Sequence, residues 1–96
     1  MDFSSFHGFE WDLGNIAKIQ NRLDLGTVEY AFHGRPYVAL DTKHSASEQR
    51  WFLVNKIQTK CVFVVFTIRG EKIRVISARY MRAKEAKHYE SWFKEE

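Results

Sequence analysis

The residues best suited to bind an anion lie close together near the end of the chain. Arg69, Lys72, Arg74 and Arg79 fall within the stretch TIRGEKIRVISAR at 67–79, among β-branched residues that are typical of strands. A guanidinium group stays protonated and can donate two parallel hydrogen bonds to phosphate oxygens, so a face lined with arginines could bind a phosphodiester backbone. The same spacing is also typical of the solvated outer face of a sheet, where the cations would bind no ligand.

This stretch predicts a β-hairpin with one cationic face. Gly70, as the first of two central residues, fits a type II′ turn. The resulting register pairs Arg69 with Lys72, Thr67 with Arg74, and Val65 with Ile76. Side chains alternate between the faces of a strand, so Thr67 and the three cations near the turn share one face. The same alternation puts Arg79 among the apolar residues, and we expect it at the strand end, where the chain turns into a last helix.

A polar connection before the strands supplies candidates for proton transfer. Its motif HSASEQR contains His44, Glu48 and Arg50, and imidazole is available both neutral and protonated near pH 7. Ser45 and Glu48 also have the spacing of a helix capping box, and a histidine in a polar loop can simply be solvated. The four histidines are scattered without metal-ligand spacing, so we predict no metal and no cofactor.

Composition narrows the class of protein. A chain of 96 residues with 45% hydrophobic residues predicts one folded domain over 1–96, and its single cysteine excludes a disulfide framework and a cysteine-based zinc site. The net charge of +3 is uneven, because residues 1–40 carry −2 and residues 41–96 carry +5. The start MDFSSFHGFEWD lacks the features of a signal peptide or a membrane span, so we expect a cytoplasmic protein.

Hydrophobic periodicity and turn residues predict an α+β domain with helices on one face of an antiparallel sheet. FEWD at 9–12 suits a short strand, a helix begins near Asn15, and Thr27 can cap a second helix through Phe32. The remaining predicted elements are strands at 37–40, 50–56, 60–69 and 72–79 and an amphipathic helix over 83–93. The predicted fold is therefore a small sheet of about four strands with N-terminal helices and a C-terminal helix.

These motifs, in this order, resemble those of the BrnT toxins of bacterial type II toxin–antitoxin systems. The similar segments are FEWD at 9–12, GN at 14–15, HSASEQR at 44–50, VVFTIRG at 64–70, IRVISAR at 73–79 and KEAKHYE at 84–90. The resemblance implies a RelE-like fold within the RelE/ParE-like superfamily and a metal-independent endoribonuclease that inhibits translation. It also implies a cognate BrnA-like antitoxin, which pairs with the toxin in a dimer of heterodimers and alone contacts operator DNA.

The chain departs from the BrnT pattern just after the first predicted helix. The family usually has a lysine, a histidine and a glycine there, whereas this chain has Asn21, Arg22 and Leu23. If the lysine–histidine pair helps to bind or cleave RNA, this chain is either weakened or dependent on Arg22.

The resemblance locates the candidate site, and the chemistry of RNA cleavage assigns its roles. Attack of a ribose 2′-OH on the adjacent phosphate develops negative charge, which we expect Arg69 and Arg79 to neutralise by converging on one phosphodiester. We expect His44, or Glu48 acting on it, to transfer the proton. Tyr80 could stack on a base of single-stranded RNA. The RNA-binding residues expected around the reacting phosphate are Arg50, Thr67, Lys72 and Arg74.

The sequence is also compatible with two other functions. One is a nucleic-acid- or antitoxin-binding module that acts in autoregulation, which would need the cationic face but no proton carrier. The missing lysine–histidine pair favours such a module, whereas the spacing of His44, Glu48 and Arg50 opposes it. The other is a toxin that poisons DNA gyrase, since a fold by itself does not fix a function.

Overall fold

The computed structural model describes residues 1–45 and 47–94 as a four-stranded antiparallel sheet flanked by short helices. The strands are neighbours in the order β1-β2-β3-β4. The elements are a 3₁₀ turn Phe3–Ser5, α1 Ile16–Gln20, α2 Leu25–Tyr30, β1 Tyr37–Leu40, a 3₁₀ turn Thr42–His44, β2 Trp51–Ile57, β3 Lys60–Arg69, β4 Lys72–Tyr80, α3 Ala83–Ala86, a 3₁₀ turn Lys87–Tyr89 and α4 Glu90–Lys94. The predicted α+β class is confirmed, while likeness to the RelE fold stays a prediction.

The two N-terminal helices are too short to be stable alone and are fixed by side-chain contacts. Asp24 caps α2 by accepting hydrogen bonds from the backbone N–H (2.9 Å) and the hydroxyl (2.7 Å) of Thr27. The prediction that Thr27 caps this helix is wrong, because the carboxylate of Asp24 is the stronger acceptor. α1 follows Asn15, whose buried amide donates to the backbone oxygens of Glu10 (3.0 Å) and Val75 (3.1 Å) and ties the helix to β4.

The segment FEWD does not form a strand, so that prediction is wrong. Phe9 makes a single parallel bridge to Ile73, whose N–H donates to Gly8 and whose carbonyl accepts from the N–H of Glu10. The pairing stops there because the chain turns into α1 at residues 13–15. The alternation still separates the side chains: Phe9 packs against the core, whereas Glu10 reaches arginines of the sheet.

One face of the sheet carries the main hydrophobic core, beneath α1 and α2. Phe66 lies at its centre, with its ring edge-on to those of Phe3 and Phe32 at centroid distances of 5.7 and 5.1 Å. Burying each large apolar side chain contributes about 1.5–3 kcal/mol. The buried members are Ile19, Leu23, Val28, Ala31 and Phe32 from the helical region and Leu53, Val62, Val64, Phe66, Ile73, Val75 and Ala78 from the strands.

The C-terminal helices pack on the opposite face, so the prediction that all helices share one face is wrong. Tyr89 and Trp92 contact the ring of Tyr37, with centroid distances of 5.1 and 5.4 Å. Tyr37 pairs with Val54, which pairs with Phe63, so these three side chains point to the same side. The strands therefore present apolar side chains on both faces, and the C-terminal segment covers the second set.

The β3–β4 hairpin has the predicted turn and register near its tip. Gly70 has a φ of +61°. Among the described residues other than glycine only Gln58 has a positive φ, so Glu71 has the negative φ that a type II′ turn requires. The observed pairs are Arg69 with Lys72 and Thr67 with Arg74. The cations near the turn therefore share one face, as predicted.

A β-bulge in β4 moves Arg79 onto the same face as those cations. Val65 pairs with Ser77, so the predicted pair between Val65 and Ile76 is wrong, and Ile76 is the extra residue of the bulge. The extra residue reverses the alternation beyond it. Arg79 consequently pairs with Phe63 rather than joining the main core. We call this side of the sheet the cation face; its charged and polar members in β3 and β4 are Thr67, Arg69, Lys72, Arg74, Ser77 and Arg79.

Candidate functional site

At the hairpin tip, two arginines of the cation face share carboxylate partners. Arg69 donates from Nε to Glu48 Oε2 (3.2 Å) and from Nη1 to Glu10 Oε1 (3.4 Å). Arg74 donates to the same Glu10 oxygen (2.9 Å) and makes a two-pronged pair with Asp12 at 2.9 and 3.2 Å. We call these five residues the tip cluster.

The pair between Arg74 and Asp12 is the two-pronged contact of the tip cluster. The hydrogen bonds from Arg74 hold the pKa of Asp12 below its ordinary value, and the same contacts raise the pKa of Arg74. Gly14 leaves room for the pair, because a Cβ there would lie 3.0 Å from Asp12 Oδ1 and 3.3 Å from Arg74 Nη2. Both groups are therefore charged over the whole neutral range.

The loop at 41–50 is attached to the hairpin beside the tip cluster. The hydroxyl of Thr67 donates to the backbone oxygen of Gln49 at 2.8 Å, and Glu48 reaches Arg69. Thr67 is only 1% exposed and its hydroxyl proton is engaged, so the prediction that it contacts RNA is wrong. Its role in this structure is to anchor the loop to β3.

His44 lies in this loop and has Asp41 as its carboxylate partner. The Nδ1 atom of His44 is 3.1 and 3.3 Å from the two carboxylate oxygens of Asp41. The His44 side chain is 66% exposed, whereas that of Asp41 is 18% exposed. The predicted pairing of Glu48 with His44 is wrong, because the Glu48 carboxylate is directed to the hairpin.

Ser45 closes the loop and does not cap a helix. Its hydroxyl donates to the backbone oxygen of Asp41 (2.6 Å) and accepts from the backbone N–H of Arg50 (2.9 Å), and the next element in the chain is β2. The capping-box interpretation is therefore wrong. Trp51 pairs with Phe66 on the core side, so alternation directs the preceding Arg50 toward the cation face. In the described part of the chain its buried Nε has no hydrogen-bond partner.

At the far end of the cation face, Arg79 forms a local ion pair. Its Nη1 and Nη2 donate to the two carboxylate oxygens of Glu85, each at 3.0 Å, and its guanidinium lies 5.2 Å from the centre of the Phe63 ring. Hydrogen bonds from Arg79, and then from the backbone N–H of Arg82, lower the pKa of Glu85 to about 2. We call Arg79, Glu85 and Phe63 the C-terminal cluster.

Tyr80, the predicted stacking residue, follows directly after Arg79. It is 42% exposed, and the ammonium of Lys60 lies 5.0 Å from its ring centroid. The lysine supplies a cation–π contact and so holds the ring at the surface.

The tip cluster and the C-terminal cluster are separate, so the prediction that Arg69 and Arg79 converge on one phosphate is wrong. Phe63, the partner of Arg79, lies six residues before Arg69 on the same strand. That spacing puts about 20 Å between the two backbone positions. Each guanidinium is also held by its own carboxylates. One phosphodiester cannot contact both groups in this arrangement.

Three carboxylates of the site could not be identified from the sequence: Glu10, Asp12 and Asp41. The alternation within FEWD indicates that Glu10 and Asp12 point away from the core, so both could have been named as candidate partners of the cations. Asp41 immediately precedes a single 3₁₀ turn and His44 ends it, and this spacing of three residues brings their side chains together. Neither signal identifies the partner without the three-dimensional contacts.

Two clefts lie outside the tip cluster and the C-terminal cluster. A cleft of about 440 Å³ lies between the N-terminal segment and the turn after α2, and its lining includes Asp2, Phe6 and His33. A cleft of about 570 Å³ separates the C-terminal helices from the β2–β3 turn. Its lining includes Glu90 and Cys61, and burial raises the pKa of the Cys61 thiol.

Metal-binding clusters and membrane-spanning helices are not found in the described residues. Within residues 1–45 and 47–94, no group of three or more histidine, cysteine or acidic side chains is placed to hold a metal ion. None of the helices in that part of the chain has the length and apolar character of a membrane span.

The fold and the two clusters describe a small α+β protein whose sheet presents arginines on one face. The model of the family described as "Ribonuclease toxin, BrnT, of type II toxin-antitoxin system" matches residues 11–85. This match covers well over half of the chain, so the chain belongs to the BrnT family, and the predicted family is confirmed. A toxin of a type II system has an antitoxin as its partner. No curated protein and no solved structure matches the chain.

Proposed function

We propose that this chain is a metal-independent endoribonuclease that cleaves RNA by attack of a ribose 2′-OH and thereby inhibits translation. Membership of a ribonuclease toxin family supports the reaction class. The observation that carries the proposal is the tip cluster, in which Arg69 and Arg74 donate to a single oxygen of Glu10. Two guanidinium groups directed at one anionic oxygen are what a phosphorane needs.

In this proposal the carboxylate of Glu10 occupies the position of a phosphate oxygen. An RNA phosphate that displaces it would receive hydrogen bonds from Arg69 and Arg74, which remain protonated throughout the reaction. The charge that develops on the phosphate during 2′-OH attack would strengthen those bonds. Loss of one such donor typically costs about 2.7–4 kcal/mol in the transition state. We therefore place the reacting phosphate at the tip cluster rather than at Arg79.

We propose His44 as the group that removes the 2′-OH proton. Asp41 contacts the Nδ1 side of the ring, which favours the tautomer with the proton on Nδ1 and leaves Nε2 free to accept one. The exposure of the ring gives RNA access to it. The loop that carries His44 is fastened to the hairpin through Glu48 and Gln49, so the base and the arginines belong to one end of the sheet.

The remaining cations are proposed to bind the rest of the RNA strand. Lys72 and Arg50 flank the tip cluster on the cation face and suit neighbouring phosphates. Arg79 and Tyr80 lie at the far end of β4, where Tyr80 could stack on a more distant base. We further propose a BrnA-like antitoxin as partner, with operator DNA contacted through that antitoxin and with the toxin acting in the cytoplasm.

A second function, binding of nucleic acid or antitoxin without cleavage, is favoured by one specific observation. The arginines of the tip cluster and Arg79 are all neutralised by carboxylates in this structure. A module that binds the antitoxin without cleaving RNA could keep the cation face in that paired state and would not require His44. The two functions therefore differ in whether RNA strands are broken.

Incubation of the purified protein with a defined single-stranded RNA in EDTA tests the proposal. We expect fragments that end in a 2′,3′-cyclic phosphate, and no cleavage where a 2′-deoxy residue replaces the ribose on the 5′ side of the scissile phosphate. The His44→Gln variant, prepared identically, controls for contaminating ribonucleases and should be strongly impaired. Binding without fragments would overturn the nuclease in favour of the module. Expression of the protein in cells that then show a DNA damage response without RNA loss would favour a gyrase poison.

A further inference from the structure

A small cleft lies on the outer side of β4, where α1 ends. Its volume is about 230 Å³, and it separates the end of the helix from the second half of the strand. The residues that line it are Lys18, Ile19, Asn21, Arg22, Ser77 and Ala78. It is distinct from the tip cluster and from the C-terminal cluster, because it shares no residue with either.

The lining of this cleft is cationic and contains no acidic residue. Lys18 and Arg22 contribute charge, and Asn21 and Ser77 contribute hydrogen-bonding groups. The two larger clefts each include a carboxylate among their lining residues. In the described part of the chain, Lys18 and Arg22 make no ion pair, whereas the arginines of the two clusters are all paired. Charge in this cleft is therefore available to an outside anion.

The position of the cleft relates it to the proposed reaction site. The N-terminal segment covers the outer edge of β4 as far as Val75, through bonds from Glu10 N–H to Ile73 and from the Asn15 amide to Val75. The cleft begins directly beyond that point, at Ser77. Ser77 lies three residues after Arg74, which is about 10 Å along the strand. A polyanion that leaves the tip cluster along this edge would reach the cleft next.

We propose that this cleft is a subsite for a backbone phosphate of single-stranded RNA, one step along the strand from the reacting phosphate. Arg22 and Lys18 would supply the charge, and the Ser77 hydroxyl and Asn21 amide would donate to phosphate oxygens. Recognition at such a subsite is independent of base sequence, because it reads only the backbone. The inference rests on the proposed function and adds to it the route that the RNA strand takes away from the tip cluster.

Salt-dependent binding of a fully 2′-O-methylated oligoribonucleotide, which cannot be cleaved, tests this subsite. We expect the double variant Lys18→Gln/Arg22→Gln to bind more weakly than the unaltered protein. Its slope of log affinity against log salt should be shallower by about 0.7 for each phosphate that the variant no longer neutralises. The control variant Lys84→Gln/Lys87→Gln makes the same charge change on the C-terminal helices and should keep the original slope. The charge-conserving variant Lys18→Arg/Arg22→Lys should restore it.

The possible outcomes test the proposed subsite separately from the proposed nuclease activity. A shallower slope in a protein that does not cleave RNA would support the subsite and overturn the nuclease. Cleavage with a slope equal to that of the control variant would overturn the subsite alone. Absence of any oligonucleotide binding would overturn the subsite, as would a double variant that loses affinity for the antitoxin but not for the oligonucleotide.

Discussion

The tip cluster and the C-terminal cluster use the same chemical groups but are assembled differently. At the tip, carboxylates from the N-terminal segment and from the loop at 41–50 meet two arginines, and the pairs of Glu10 and Asp12 with Arg74 span 64 and 62 residues of sequence. In the C-terminal cluster, one arginine meets one carboxylate six residues later. The first arrangement depends on the whole fold, whereas the second is local.

The difference in assembly suggests a difference in role. The carboxylate of Glu85 accepts from both ends of the Arg79 guanidinium and also from the backbone N–H of Arg82, so it fastens the turn from β4 into α3. At the tip, a single oxygen of Glu10 is shared by two guanidinium groups that keep other donors. A shared acceptor can be exchanged for a phosphate oxygen more readily than one that is part of a complete local network.

Alanine substitution of the two arginines should separate these roles most clearly. We expect Arg69→Ala to lower the rate of RNA cleavage by roughly a hundred- to a thousand-fold, because it removes a donor to the developing charge. Arg79→Ala should cost much less activity and should instead lower the Tm, because the turn into α3 loses its ion pair. Single-turnover cleavage and thermal unfolding measure the two effects. Equal losses of activity in two folded variants would contradict the distinction.

Neutralising Glu10 tests whether this carboxylate competes with RNA. Glu10→Gln should tighten binding of a non-cleavable oligonucleotide by about two- to five-fold, which is the size expected for a partly exposed ion pair that no longer has to be broken. Glu71→Gln is the matched control, because Glu71 lies at the same hairpin turn, pairs with His7, and involves the same charge change. If the two variants bind equally, the gain reflects net charge and Glu10 is not a competitor.

Acid unfolding should report the C-terminal cluster through Glu85. Its pKa is depressed from 4.5 to about 2 in the folded protein, so the pair stabilises the fold above pH 4.5 and loses that contribution as the pH falls toward 2. Glu85→Gln should therefore flatten the pH dependence of stability within this window, as measured by denaturant unfolding followed by circular dichroism. Asp12→Asn should instead flatten the pH dependence of stability at pH values below the ordinary pKa of Asp12. An unchanged profile for Glu85→Gln would mean that the pair does not fasten the turn.

The four strands of the sheet could be predicted almost to the residue because their pattern is local. Alternation of apolar residues and the turn residues predicted β1 and β3 at their observed bounds and β2 and β4 within one residue of theirs. The bulge at Ile76 could not be predicted in this way, because nothing in the local pattern identifies an extra residue in one strand. That single residue decides which face Arg79 occupies.

The candidate site was less predictable than the fold because its contacts join distant parts of the chain. The cations of the hairpin were visible as a cluster in the sequence, but their carboxylate partners come from residues far away. The choice of Asp41 over Glu48 as partner of His44 depends on how the loop folds back through Ser45. The ion pairs between residues far apart in the chain therefore could not be predicted from the sequence.

Binding of RNA phosphate at the tip cluster is the step on which the proposed reaction depends. Titration of the protein with a 2′-O-methylated oligonucleotide, followed through the Nε–Hε NMR signals of its arginines, observes this step. We expect the signals of Arg69 and Arg74 to move with increasing oligonucleotide, while the Arg79 signal keeps its position until the tip is saturated. Movement of the Arg79 signal, with those of Arg69 and Arg74 unchanged, would show that the phosphate binds elsewhere.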